Sequence, residues 1–400
     1  MKPPSLAILG AVNGTEVAPK RNFVITNVLV LVCGLGLASC GDSGGSAQDA
    51  AAPDGTTPDA QASDAQASDA TDAPVSDAQL PDAQLVELAV GIDPRFIVAG
   101  ANDDLWFTEC TGNKIGRITT KGQLTEFPVP TPSSCPWGIA RSTLKLGDGG
   151  VTDAFFFTES AANKIGAVTP SGDFVEFAIP SPSTCPYGIT AWPTDGRLWF
   201  TENCNPVQST MDKIGSLDPY AIPNIVEFKL QRGGIKLSGI AAGPDGYVWF
   251  AELAPSQGAI SRYKPPGSGA ECIVPVWESE PFGIAAGPDG KMWFTESAGG
   301  VIGVADPAAF ICTQKPFTEF PIPTVTGKPF GIAAGPPCSG STRAVWFAEE
   351  HGARVGCITA TGTVTEYPVS SSTFGITEGP DGNVWFTEPQ ANKVGRLRAP

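Results

Sequence analysis

The chain repeats one five-residue stretch seven times, and this repetition restricts what it can fold into more than any other feature. The copies begin at Leu105, Phe155, Leu198, Val248, Met292, Val345 and Val384, and a representative one is Met292-Trp293-Phe294-Thr295-Glu296. Successive copies are 50, 43, 50, 44, 53 and 39 residues apart. A period of that size belongs to a solenoid or a propeller. Trp and Phe are neighbours, so in a strand they point to opposite faces, and both faces must be buried. Propeller blades, each packed between two other sheets, satisfy that requirement. No long stretch carries a helical period.

Each repeat reads as four short strands. Strand A follows a Gly-Ile pair, as in Gly283-Ile284-Ala285-Ala286, and runs into a Gly287-Pro288-Asp289-Gly290 turn. Pro pre-sets that turn and Gly closes it. Strand B is the Trp-Phe strand. Strand C opens with Asn-Lys-Ile-Gly, as at Asn113 to Gly116, and strand D is Leu124-Thr125-Glu126-Phe127 and its relatives. Strands A to C occur seven times from Phe96 onward, but strand D then occurs only six times. The seventh D strand is Leu85-Val86-Glu87-Leu88, ahead of the first A strand. The expectation is an all-β, seven-bladed propeller over 85–400, its ring closed by the N-terminal strand. The D–A connections and B–C loops then share one face, the top. The A–B and C–D loops share the bottom.

Ahead of the propeller, Lys20-Arg21 precede an apolar run from Phe23 to Leu37, which reads as a signal peptide over 1–40. Its end, Leu37-Ala38-Ser39-Cys40, resembles the lipobox of bacterial lipoproteins and makes Cys40 the expected lipidation site. Residues 41–84 hold nine Asp and no Lys or Arg, and read as a disordered, self-repelling tether. The expected location is the bacterial cell envelope, with membrane contact through the lipid alone, and the expected state is a monomer. A net charge of −16 argues against a nucleic-acid partner.

Ten cysteines fit an oxidising compartment. With Cys33 and Cys40 in the leader, sequence neighbours are expected to pair as Cys110 with Cys135, Cys185 with Cys204, Cys272 with Cys312 and Cys338 with Cys357. The competing reading, a metal site, lacks any C-x-x-C spacing.

The repeated Pro-x-Gly-Ile, Gly-Pro-Asp-Gly, Trp-Phe-Thr-Glu, Asn-Lys-Ile-Gly and Thr-Glu-Phe-Pro resemble the virginiamycin B lyase (streptogramin lyase) family across all of 85–400. The resemblance implies a seven-bladed propeller and a Mg²⁺-assisted elimination that linearises a cyclic streptogramin at its ester. It implies a top-face site with a catalytic His in the last Pro-His-Gly-Ile loop, and a metal held by a His of the sixth loop and several Glu. Carried over by position, the catalytic His falls on Phe374, the acidic residue two places earlier on Ser372 and the second His on Phe330. The family's acid after the last Trp-Phe strand is kept as Glu388. A Phe neither takes a proton nor binds a cation through nitrogen.

Other candidates come from the residues themselves. His351, the only His, follows Glu349-Glu350 in the top loop of blade 6, where a relocated base could stand. The strand-B Glu residues are expected to pair across the hairpin with the Lys or Arg that opens strand C. Blades 4 and 5 have Ala259 and Val301 there, so Glu252 and Glu296, with Glu280 between them, form a candidate Mg²⁺ or Ca²⁺ site. The residues before Gly-Ile are Trp137, Tyr187, Ser238, Phe282, Phe330 and Phe374, with Arg95 at the irregular position in blade 1. The five aromatics and Arg95 either line a mouth for a small molecule, glycan, peptide or protein ligand, or wedge between blades as core. The leading expectation is therefore a surface-tethered binding propeller. The alternatives are a metal-dependent carbon–oxygen lyase of the family type and a lactonase-like hydrolase.

Overall fold

Each repeat forms one four-stranded antiparallel sheet, and seven such sheets are present in the computed structural model. The structure describes residues 85–398, apart from 148, 205–211, 222–224, 231–235, 254–257, 265–269, 274–278 and 311–316, and the side chains of 270–273. The leader, Cys40, the tether and the Cys272–Cys312 pairing lie outside the described residues.

Blade 1 consists of Pro94–Ala99, Asp104–Glu109, Lys114–Thr119 and Leu124–Pro128, paired in chain order. Blades 2 to 6 repeat that order. Blade 7 takes its outer strand from the other end of the domain. Leu85–Ala89 pairs with Lys393–Leu397, Leu85 opposite Leu397 and Ala89 opposite Lys393. The A strands of blades 7 and 1 are neighbours, which closes the ring as the strand count requires.

The Trp-Phe pair holds adjacent blades together. Trp106, Trp249, Trp293, Trp346 and Trp385 are fully buried, as is the Phe that follows each of Trp106, Trp293, Trp346 and Trp385. Trp293 of blade 5 packs with Phe347 of blade 6, and Trp385 of blade 7 with Phe107 of blade 1. Opposite side-chain directions on one strand thus fill two different inter-blade layers. In blade 2 Phe156 replaces the Trp, and Trp106 stacks on Phe155 at 4.2 Å. The turn Asp secures the indole: Trp249, Trp293 and Trp385 each donate Nε1–H to Oδ1 of Asp245, Asp289 and Asp381 at 3.0 Å.

The Thr of Trp-Phe-Thr-Glu joins each blade to the next near the axis. Thr295 Oγ1 accepts from Gly283 N in its own blade and donates to the Phe330 carbonyl of blade 6, both at 2.8 Å. Thr158, Thr201 and Thr387 do the same, and Thr387 reaches the Arg95 carbonyl of blade 1. Blade 4 has Ala251 instead, and Ser238 Oγ donates to Phe282 O at 3.1 Å. Blade 6 has Ala348, and Gly331 N bonds Phe374 O directly at 3.1 Å. The Gly of Gly-Ile is required here, because a Cβ at Gly283 or Gly375 would overlap the next blade's carbonyl. That residue also sits in a bulge, where pairing shifts between Pro281 and Ile284. Asn113 and Asn163 adopt left-handed backbone at φ 53° and 58°, which Asn tolerates. Their side chains tie the B–C loop to the following D–A loop.

Three of the expected disulfides are present, Cys110–Cys135, Cys185–Cys204 and Cys338–Cys357. The first joins blade 1 to blade 2, and the other two lie within blades 3 and 6.

Candidate functional site

The start of strand A sets the chemistry of the axis, because strand A is the innermost strand of every blade. The rings that precede Gly-Ile meet there. Phe374 lies 4.5 Å from Phe330, 5.7 Å from Trp137 and 6.1 Å from Phe282. Tyr187 lies 5.0 Å from Trp137 and 5.9 Å from Phe282, and Phe282 stacks on Phe330 at 3.5 Å. Contacts between rings from blades 2, 5, 6 and 7 span the centre of the propeller. Phe282 and Phe374 are buried in this assembly, and burial pushes the Tyr187 hydroxyl well above its ordinary range. The five aromatics therefore pack on one another as a plug across the axis, with Trp137, Tyr187 and Phe330 half-buried at its surface.

Phe96 is a sixth ring of the plug, 5.3 Å from Phe374 and 6.5 Å from Trp137. The sequence reading missed it although a signal existed: blade 1 reads Pro94-Arg95-Phe96-Ile97, with Phe in the place of the motif Gly. Arg95 caps the plug. Its guanidinium carbon stands 4.8 Å above the Trp137 ring and 5.1 Å above Phe374, a cation–π arrangement. Its Nε is 2.7 Å from Asp93 Oδ1, and Thr111 donates to the other oxygen of Asp93.

Beside Arg95 the top face holds a cavity of about 410 Å³, lined by Asp93, Arg95, Glu350, Ser372, Phe374 and Gln390 among others. It brings together Arg95, Phe374 and Ser372 from the sequence candidates. Glu350 lines it, whereas the adjacent His351 is exposed and is not among the lining residues. The cavity offers a guanidinium, carboxylates, a hydroxyl and an apolar edge.

The strand-B acids are arranged differently from the expectation. Lys114, Lys164, Lys213 and Lys393 stand opposite or beside the strand-B Glu in register, but their ammonium groups go to strand D. They reach Glu126, Glu176, Glu227 and Glu87 at 2.6, 2.7, 3.0 and 2.8 Å. In blade 6 Arg354 lies 3.8 Å from Glu366. A long cationic side chain keeps its head near water, and the strand-D carboxylate is the acid on that outer side. A Thr or Ser of the preceding D–A loop completes the clasp in blades 2, 3, 6 and 7, as Thr131 Oγ1 donates to Glu176 Oε2 at 2.8 Å. Burial would raise the pKa of Glu87, Glu176 and Glu227, but the Lys and hydroxyl hydrogen bonds hold these groups below the usual value.

The strand-B acids are left inside. Burial, followed by the charge of the strand-D carboxylate, pushes Glu109, Glu159 and Glu388 up to about 7, and Glu202 and Glu349 up to about 8. Glu388, the family-position acid, is fully buried, and its Oε1 accepts from Ser371 N at 3.1 Å. Glu252 and Glu296 are likewise buried, each at the end of its own B strand, while Glu280 is exposed in the loop between blades. Among the described residues no three His, Cys, Asp or Glu form a group that could hold a metal ion, so the Glu252, Glu280 and Glu296 trio is not assembled.

Comparison with known proteins agrees with this geometry. The chain matches the profile of the virginiamycin B lyase family over residues 81–336 and 305–400. It is similar to a streptogramin B lyase structure at 31% identity and a TM-score of 0.66, covering 79% of this chain and 97% of that one. It is similar to virginiamycin B lyase from Staphylococcus aureus at 30% identity and a TM-score of 0.67, covering 80% of this chain and all of that one. A catalytically inactive His-to-Ala variant of that enzyme with Quinupristin gives 30% identity and a TM-score of 0.66, over 80% and 100% of the two chains. No curated protein matches. With a propeller closed by its N-terminal strand and a family profile matched along the whole of it, this chain belongs to the virginiamycin B lyase family.

Proposed function

We propose that the protein is a surface-tethered binding propeller, which takes a ligand at its top face and does not carry out the family's elimination. One observation carries this reading. Phe374, at the position of the family's catalytic His, is a buried ring packed among Phe96, Trp137, Phe282 and Phe330. A ring in that setting cannot accept a proton from a substrate. The residues present do not fit the family's Mg²⁺ either. Phe330 and Phe374 supply no donor atom, and the fixed positive charge of Arg95 stands 5.1 Å from the Phe374 ring, where it would repel a cation. The retained Glu388 supplies one carboxylate, which is too few ligands for a hard cation.

The cavity supports binding rather than turnover. Arg95 and Ser372 offer donors, Asp93 and Glu350 offer acceptors, and Phe374 offers an apolar edge. A lipid on Cys40 and the 41–84 tether would hold the domain away from a membrane.

The deciding experiment incubates the purified protein and a family lyase separately with quinupristin and Mg²⁺, and follows ring opening by mass spectrometry. No linear product from this chain, against complete conversion by the lyase, is the expected result. Turnover lost in His351→Ala would overturn the reading in favour of a relocated base. Fatty-acid labelling that disappears in Cys40→Ser is expected for the tether, and unlabelled protein in the soluble fraction would remove it.

A further inference from the structure

Two departures from the seven-fold unit meet at one place on the bottom face. The first is in blade 2, whose A and B strands, Pro136–Lys145 and Val151–Glu159, have ten and nine residues where blade 5 has six and five. The surplus pairs, Ser142 with Ala154 through Lys145 with Val151, extend the hairpin past the end of the blade. The second is in blade 3, where Trp192 occupies the turn position that is Gly243 and Gly287 in blades 4 and 5. The turn is also one residue longer: Trp192 N bonds Arg197 O, five residues on, where Gly243 N bonds Tyr247 O, four residues on. The shorter turns have no room for a side chain there, because a Cβ at Gly243 or Gly287 would overlap the strand-B indole beneath it.

Between the extended hairpin and this turn runs a groove of about 800 Å³, lined by Arg141, Asp153, Thr143, Trp192, Asp195 and Tyr220 among others. Its walls are fixed to each other. Ser142 Oγ donates to Gly196 O at 2.8 Å, Thr143 Oγ1 and Tyr220 Oη are 2.5 Å apart, and Lys145 N bonds Pro219 O at 3.2 Å. Leu144 is buried beneath the hairpin, in the cluster that holds Leu198 and Leu217 of blade 3. The groove is thus preformed, which lowers the ordering cost of binding. Part of each aromatic group stays open to solvent: Tyr220 is 40% exposed, and Trp192, which packs on one side against the Trp199 cluster, is half-buried.

We propose that this groove binds an uncharged oligosaccharide. Aromatic faces match the C–H faces of sugar rings, and Trp192 and Tyr220 present two of them along one channel. Neighbouring sugar hydroxyls need a donor and an acceptor side by side. Arg141 and Asp153, 3.1 Å apart and both open to solvent, supply that pair, with Thr143 and Asp195 adding further partners. The volume lies within the ~300–1,000 Å³ of small-molecule sites and has room for more than one ring. The charges favour a neutral ligand, since Arg141 is matched by Asp153 and Asp195 by Arg197, 3.9 Å away, which leaves no unmatched cation among the described groove residues to hold a phosphate or uronate. The propeller's own packing does not need the surplus pairs, because blades without them close equally well.

The test is calorimetric titration of the full chain with maltotriose, cellotriose, laminaritriose, xylotriose and chitotriose. At least one is expected to bind. Trp192→Ala and Asp153→Asn are each expected to weaken that binding at least about tenfold, while Lys291→Ala, on the same face in blade 5, leaves it unchanged. Asp153 is half-buried at the groove wall and outside the hydrophobic clusters, so its variant keeps the question answerable if Trp192→Ala fails to fold. Absence of binding to the whole panel, or binding indifferent to Asp153→Asn, overturns the proposal. The groove is on the face opposite the top cavity, so this outcome does not depend on what the cavity binds.

Discussion

Replacing Thr295 with Val removes a hydroxyl and little else, so it isolates the bond that links blade 5 to blade 6. Thr295 is fully buried. Its hydroxyl serves Gly283 N and Phe330 O at once, each at 2.8 Å. A rigid protein would be left with one orphaned donor and one orphaned acceptor, each costing about 1–3 kcal/mol, or about 2–4 kcal/mol together after partial relaxation. Blade 6 sets the lower bound. Lacking the hydroxyl at Ala348, it bonds Gly331 N to Phe374 O directly at 3.1 Å. If blade 5 relaxes to that arrangement, one bond is recovered and the loss falls to about 1 kcal/mol. The expected value is therefore about 2 kcal/mol, against total stabilities of about 5–15 kcal/mol. Urea unfolding followed by tryptophan fluorescence should show a midpoint lowered by about 1 M with the slope unchanged. Thr295→Ser is the control, since it keeps the hydroxyl and gives up one methyl, worth about 1 kcal/mol. A Val variant as stable as the wild type would refute the argument, because the hydroxyl would then contribute nothing across the blade boundary.

The other predictions follow from the acids and the disulfides. Five strand-B Glu are held up at about 7 to 8, so the folded chain keeps protons that the unfolded chain loses near 4.5. Folded protein then binds more protons than unfolded between those values, and stability falls as pH rises from about 4.5 through 8. The strand-D acids Glu87, Glu176 and Glu227 are lowered and act oppositely, their stabilisation being lost as pH falls below the ordinary carboxylate range. Melting temperature should therefore peak in mildly acidic buffer; Glu349→Gln should flatten the alkaline limb, and a melting temperature that climbs steadily from pH 5 to 8 would contradict the scheme. Reducing Cys110–Cys135, which closes a separation of 25 residues between blades 1 and 2, should cost about 3 kcal/mol, measured as the difference between wild type and Cys110→Ser/Cys135→Ser in urea.

The fold was legible because its signals are local and repeated. The Trp-Phe neighbours of strand B need two buried faces in any context, and the missing seventh D strand could only be supplied by Leu85–Ala89. The disulfides Cys185–Cys204 and Cys338–Cys357 were legible for the same reason, each lying within a single blade. The candidate site was less legible. That Phe330 and Phe374 occupy the key loops can be read from the letters alone, but the letters do not say whether the rings surround a space or fill it. Phe96 was missed because it breaks the motif that brought the other rings to notice.

The clasp between strands C and D shows where sequence reasoning reached its limit. Glu109 and Lys114 are opposite in register, and a pair was the natural inference. Glu126 is diagonal to Lys114 on the same face and nearer the solvent, so it takes the cation and leaves Glu109 buried. The sequence by itself determined the number of blades, the order of their strands and the way the ring closes, because all of these depend on alternation and count. Tertiary structure alone decided which acid receives the lysine, that the axial rings close on one another, and that a long hairpin in blade 2 meets a lone Trp in blade 3. Those outcomes depend on distances between residues far apart in the chain, and such distances exist only once the ring is formed.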